Sequence, residues 1–150
     1  TSMSSIAGVD DLGIDPSEVA ASLDESCVPL VPFDDPTADD AERTVELPRG
    51  ILRAHPFAKA MLVADDCLDR VIPQGMVAVF DPALKPKNDQ VAVVWTPELG
   101  TILRRWFRAG NTLILVADSH QPHDDIVLVG NAAHTLVGTV VWAQSLDELA

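Results

Sequence analysis

The chain of 150 residues is strongly acidic, with a formal net charge of −13, and 47% of its residues are hydrophobic. This length and composition predict a globular protein with a real core and exclude an intrinsically disordered chain. Two cysteines are too few for a disulfide framework, and no apolar run is long enough to span a bilayer, so we expect a cytoplasmic protein with no membrane partner.

The negative charge is concentrated in the first third of the chain. Residues 1–49 contain 12 acidic and 2 basic residues, a net charge of −10, whereas residues 50–150 contain 11 and 8, a net charge of −3. We therefore predict an acidic N-terminal arm or linker over 1–49 and a folded domain over 50–150. Such an arm repels nucleic acid, and we expect no direct nucleic-acid binding by this chain.

Within the arm, the sequence predicts one helix and two extended segments. Residues 15–18, Asp-Pro-Ser-Glu, combine an N-cap residue, a proline at the first helical position and a capping-box glutamate, which predicts a short helix over 15–23. Prolines interrupt the chain after this helix. Residues 28–33 are predicted to be extended, and residues 44–47 alternate in the manner of an edge strand.

Beyond a connection over 49–57, short apolar stretches recur between residues that favour turns. Val and Ile are frequent in these stretches, and no segment has a long helical period. The pattern therefore predicts a mostly-β domain. Its strands are expected at 59–64, 76–80, 90–95, 101–107, 112–117, 126–129 and 135–143.

One cysteine lies in the acidic turn between the first two of these strands. Cys67 follows the apolar run that ends at Ala64 and precedes the Pro-Gln-Gly turn at 73–75. A side chain at the end of a strand can be held rigidly and still reach solvent, which suits a nucleophile. The alternative to a nucleophile is that Cys67 is simply a small buried hydrophobic residue, and spacing alone favours this alternative.

The ordered set of segments over 57–143 resembles a known family. Residues 63–81 resemble the nucleophile segment of the self-cleaving repressor family, which comprises LexA-like and phage CI-like repressors and the UmuD polymerase accessory protein. By this match Cys67 stands at the position of the nucleophilic serine. Residues 101–111 are similar to the family's Thr-Val-Lys-Arg-Leu segment, whose lysine is the general base. The resemblance implies a LexA/signal-peptidase-like β domain of several short, strongly bent strands.

The nucleophile, the base and the cleavage site all depart from the family's pattern. The lysine position holds Arg104, or Leu103 if the register differs by one residue. Arginine stays protonated in proteins and cannot act as the base, although its charge is expected to lower the pKa of a neighbouring thiol. Residues 34–37, where the scissile loop is expected, contain no small-residue-Gly pair. We predict that Cys67 and Arg104 occupy the two catalytic positions and that self-cleavage is lost.

The resemblance implies the regulatory and dimerisation domain of a phage- or SOS-type transcriptional repressor, assembled as a homodimer and without a cofactor. One alternative is an active peptidase in which Cys67 is the nucleophile and its base is His55, His120, His123 or His134. The other alternative is a UmuD-like polymerase-accessory protein that binds a regulatory protein partner.

A polar segment near the end of the chain offers residues that metals bind. Its His-x-x-His pair, His120 and His123, is flanked by Asp118, Asp124 and Asp125, which is a donor set suited to zinc or nickel. A polar surface loop between two strands accounts for the same residues, and spacing fixes no fourth ligand. We therefore predict no metal site from the sequence.

Overall fold

The computed structural model describes residues 27–37 and 43–146. The helix predicted over 15–23 lies outside the described residues, as do residues 147–150. The described part is mostly β, which confirms the predicted fold class. None of its helices is long and apolar enough to cross a membrane.

Nine strands and one helix make up the described part of the chain. They are β1 (Cys27–Val31), β2 (Arg43–Glu46), α1 (Arg49–Ala54), β3 (Lys59–Leu62), β4 (Val77–Asp81), β5 (Val91–Thr96), β6 (Gly100–Ala109), β7 (Thr112–Val116), β8 (Ile126–Val129) and β9 (Thr135–Gln144). The strands predicted after residue 58 are all present, with ends shifted by at most two residues. The sequence did not indicate α1, because six residues are too few to establish a helical period.

The nine strands form one sheet in the order β2-β1-β3-β4-β9-β5-β6-β7-β8. Every neighbouring pair is antiparallel except β1 and β3, which are parallel. Strands β1 and β2 come from the segment predicted as an arm, and both join the sheet. Their side chains at Val28, Val31 and Val45 are buried, so these strands contribute to the core.

Strand β9 pairs with both β4 and β5. Its register shifts once against each partner, at Val79/Phe80 on β4 and at Val93/Val94 on β5. Gly138 permits the close approach of β9 to β4, because a Cβ atom there would lie only 2.8 Å from the backbone oxygen of Asp81. That the strands are strongly bent, as the family resemblance implies, stays a prediction.

The turn that carries Cys67 connects β3 to β4 and is closed by hydrogen bonds at its base. The Val63 N–H donates to the Met76 carbonyl at 2.8 Å, and the Gly75 N–H donates to the Val63 carbonyl at 2.9 Å. Leu68 and Ile72 anchor the turn from within, since both are buried in the hydrophobic cluster beneath the sheet. The turn is therefore a fixed part of the core and holds the residues between its anchors in place.

Candidate functional site

Cys67 is held from both sides of its backbone. Its N–H donates to Asp65 Oδ1 at 3.3 Å, and its carbonyl accepts a 2.8 Å hydrogen bond from the N–H of Asp118 in the loop between β7 and β8. The residue is 8% exposed. Cys67 therefore lies where the β3–β4 turn meets the β7–β8 loop, with its thiol almost fully covered.

Arg104 of β6 contacts the thiol directly. Its Nη2 donates to Cys67 Sγ at 3.3 Å and its Nη1 donates to the carbonyl of Asp124 at 3.1 Å. The side chain is 6% exposed, and its Nε has no hydrogen-bond partner among the described residues. Leu103 is instead part of the hydrophobic cluster. The structure thus brings Arg104 and Cys67 together; that they occupy the family's catalytic positions stays a prediction.

The adjacent arginine lies on the other side of β6. Arg105 pairs with Asp118 at 3.3 Å and with Asp89 at 3.4 Å. Successive residues of a strand point to opposite faces, so one arginine reaches the thiol while its neighbour is bound by carboxylates. Of these two arginines, Arg104 is the one that places a positive charge beside the thiol.

Burial raises the pKa of the Cys67 thiol above its usual value, and the Asp65 carboxylate raises it further. Arg104 lowers the pKa of the thiol through its charge and its hydrogen bond, but this effect is the smaller one. The lowered pKa expected from the sequence is therefore not the net result, because a thiolate loses its hydration in this covered position. Burial also raises the pKa of Asp65.

A histidine from the β7–β8 loop completes the group. His123 Nε2 lies 3.0 Å from Asp66 Oδ1, and ligand atoms of Asp66, Cys67 and His123 all lie within 4.8 Å of one another. The His123 side chain is 26% exposed, but its Nε2 atom is buried and makes no aligned hydrogen bond within the described part of the chain. Proximity without alignment distinguishes this pair from an ordinary hydrogen bond.

The other three histidines that the sequence offered as a base bond elsewhere. Their partners are Asp81 for His55, Asp69 for His120 and the Ala132 carbonyl for His134. The backbone N–H of His120 also donates to Asp69, and this bond holds the pKa of Asp69 below its usual range. Sequence reasoning named His123 among four candidates but missed Asp66, whose only signal was its place next to Cys67.

The assembled side chains have two chemical capacities. A thiol beside an imidazole and a carboxylate contains the elements of a nucleophile and its base. The same sulfur, nitrogen and oxygen atoms are also the donors that zinc binds in proteins. The guanidinium of Arg104 supplies positive charge to either arrangement but cannot accept a proton.

Comparison with known proteins supports the family resemblance that the sequence segments indicated. The sequence model of the family described as Peptidase S24-like matches residues 31–141, a range that includes Cys67, Arg104 and His123. No curated protein sequence matches the chain. The matched range begins in β1 and ends in β9, so it takes in most of the sheet.

Proposed function

Because the chain belongs to the Peptidase S24-like family, we propose that it is the regulatory domain of a phage- or SOS-type transcriptional repressor and that it does not cleave itself. The observation that carries the proposal is the 3.3 Å contact between Arg104 Nη2 and Cys67 Sγ. Arg104, which donates this hydrogen bond to the thiol, is a permanent cation and cannot remove the thiol's proton.

The chemistry of self-cleavage explains why this contact matters. A serine or cysteine attacks a peptide carbonyl only after a neighbouring base has taken its proton, and a desolvated lysine can do so because its ammonium group can become neutral. Arginine has no accessible neutral form. The lack of a small-residue-Gly pair at residues 34–37 further supports loss of cleavage.

Intact mass over time tests the proposal. The wild-type protein and a Cys67→Ala variant are incubated at neutral and at alkaline pH, since alkaline conditions raise the thiolate fraction. We expect one unchanged mass for both proteins. A pair of complementary fragments that forms in the wild type and is absent in Cys67→Ala would contradict the proposal.

The position of His123 favours a second candidate, an active peptidase. Cys67 would be its nucleophile and His123, whose ring nitrogen lies within 4.8 Å of the sulfur, its base. This candidate predicts cleavage that stops in both Cys67→Ala and His123→Ala. A His120→Ala variant is the matched control, because His120 belongs to the same loop but bonds to Asp69.

Regulation through a homodimer is the remaining part of the proposal. Phe107, Ile114 and Val127 lie directly opposite one another on β6, β7 and β8 and share one face of the sheet. Val127 is 56% exposed on the outermost strand of this side. An apolar row at a sheet edge is suited to cover by a second copy of the chain.

Sedimentation equilibrium tests the dimer. We expect the wild type to sediment as a dimer and Val127→Lys as a monomer, because a lysine on this row would bring like charges together across a symmetric interface. Leu99→Lys is the control, since Leu99 is similarly exposed but lies in the turn between β5 and β6. A monomeric wild type, or a dimer that survives Val127→Lys, would contradict this assignment.

A further inference from the structure

We propose that Asp66, Cys67 and His123 form a zinc-binding site. The three residues offer a carboxylate oxygen, a sulfur and an imidazole nitrogen, and these atoms lie within 4.8 Å of one another. Borderline-soft Zn²⁺ takes this mixture of ligands, whereas Mg²⁺ and Ca²⁺ prefer oxygen alone. The site goes beyond the proposed regulatory function and does not depend on it.

The distance between the nitrogen and oxygen ligands is close to the one that tetrahedral zinc requires. Zinc bonds of about 2.0–2.2 Å to nitrogen and oxygen place these two atoms roughly 3.4 Å apart. His123 Nε2 and Asp66 Oδ1 are 3.0 Å apart, and the sulfur of Cys67 lies within 4.8 Å of both. Small side-chain rotations would bring the nitrogen and the oxygen to the tetrahedral spacing.

The His123 ring nitrogen supplies an independent reason to place an ion here. Nε2 is buried and close to a carboxylate, yet it makes no aligned hydrogen bond within the described residues. Buried polar atoms are almost always bonded, so one without a partner calls for an explanation. His123 Nε2 and Asp66 Oδ1 therefore lie close together without a hydrogen bond between them, as two ligand atoms of one cation do.

Acidic groups surround the proposed ion. Asp66 is one of its ligands, and Asp65 accepts the N–H of Cys67 at 3.3 Å. Coordination replaces the thiol proton with zinc and releases that proton to solvent. Arg104 Nη2 already donates to Sγ at 3.3 Å, and a donor of this kind stabilises and orients a coordinated thiolate.

The backbone around the site is in place before any ion binds. Asp66 and Cys67 belong to the β3–β4 turn and His123 to the β7–β8 loop, and the Asp118 N–H joins the loop to the turn through the Cys67 carbonyl at 2.8 Å. Little chain entropy therefore opposes binding. Three protein ligands leave a fourth position for water.

Cobalt provides the direct test, because Co²⁺ adopts the geometry of zinc and absorbs light. Metal-free protein is titrated with Co²⁺, and the complex is then titrated with Zn²⁺. We expect a 1:1 complex with a thiolate-to-cobalt charge-transfer band that zinc removes. Cys67→Ser should lose the band, and His123→Ala and Asp66→Asn should weaken cobalt binding by at least about tenfold.

Two variants test whether the assigned residues are the ligands. Cys27→Ser removes the other sulfur, and His120→Ala removes a 67%-exposed histidine of the same loop; both should bind cobalt as the wild type does. Circular dichroism of each metal-free variant checks that it is folded. The absence of a charge-transfer band in the wild type, its loss in Cys27→Ser, or equal weakening in His120→Ala and His123→Ala would overturn the proposal.

Discussion

Two of the three histidine–aspartate pairs among the described residues differ in how the fold uses them. His55 Nδ1 and Asp81 Oδ2 form a 2.8 Å hydrogen bond that joins the end of α1 to β4, and Asp81 also accepts the N–H of Ala83 at 2.9 Å. His123 and Asp66 are 3.0 Å apart without an aligned bond.

The difference between the two pairs indicates which of them is available for function. The bonding capacity of the first pair is used by the fold, because its members hold one element against another. The second pair keeps unused capacity beside a thiol and a guanidinium. Polar groups whose hydrogen-bonding capacity the fold does not use are the ones available for a ligand or a reaction. We therefore expect mutations at the first pair to affect stability and mutations at the second to affect binding.

The largest effect is expected from overpacking near the first pair. Gly138→Ala would place a Cβ atom 2.8 Å from the Asp81 backbone oxygen and 2.9 Å from Phe80 Cδ2. We expect a loss of about 3 kcal/mol in the free energy of unfolding, measured with urea. Gly50→Ala is the control, because its Cβ would meet nothing within 4 Å. Equal stability of the two variants would show that β9 can move away from β4.

The next largest effect is expected from zinc. At a free concentration 100 times its Kd, an ion that binds only the folded state stabilises it by about 2.7 kcal/mol. We expect this stabilisation in thermal unfolding for the wild type and for His55→Ala, each measured against its own metal-free form. At the same zinc concentration, a site weakened about tenfold or more in His123→Ala should give at most about half of it. A full-sized zinc stabilisation in His123→Ala would remove the distinction between the two pairs.

A smaller effect separates the two aspartates in metal-free protein. Asp81→Ala removes the acceptor of two hydrogen bonds in a buried position, and we expect it to cost about 2 kcal/mol. Asp66→Ala removes no aligned hydrogen bond to His123 and should change the free energy of unfolding by less than about 0.5 kcal/mol. Similar losses in the two variants would mean that Asp66 is also structural.

Most of the sheet could be predicted from the sequence, because its strands are short stretches of apolar or alternating apolar and polar residues, separated by residues that favour turns. Helix α1 was missed because it is too short to show a period. The contact between Cys67 and Arg104 followed from the order of segments in the family resemblance, which aligned both residues. The approach of His123 to Asp66 could not be predicted in this way, because it depends on how the β7–β8 loop crosses the β3–β4 turn. Local patterns do not encode such long-range contacts.

Under the proposed function, Cys67 stands at the family's nucleophile position but is not reactive. The most direct measurement is the rate at which iodoacetamide alkylates each cysteine of the folded, metal-free protein, followed by peptide mass mapping. Cys67 should react more slowly than the half-buried Cys27, because its thiol is covered and burial raises its pKa. Faster alkylation of Cys67 than of Cys27 would contradict the account and identify Cys67 as an activated nucleophile.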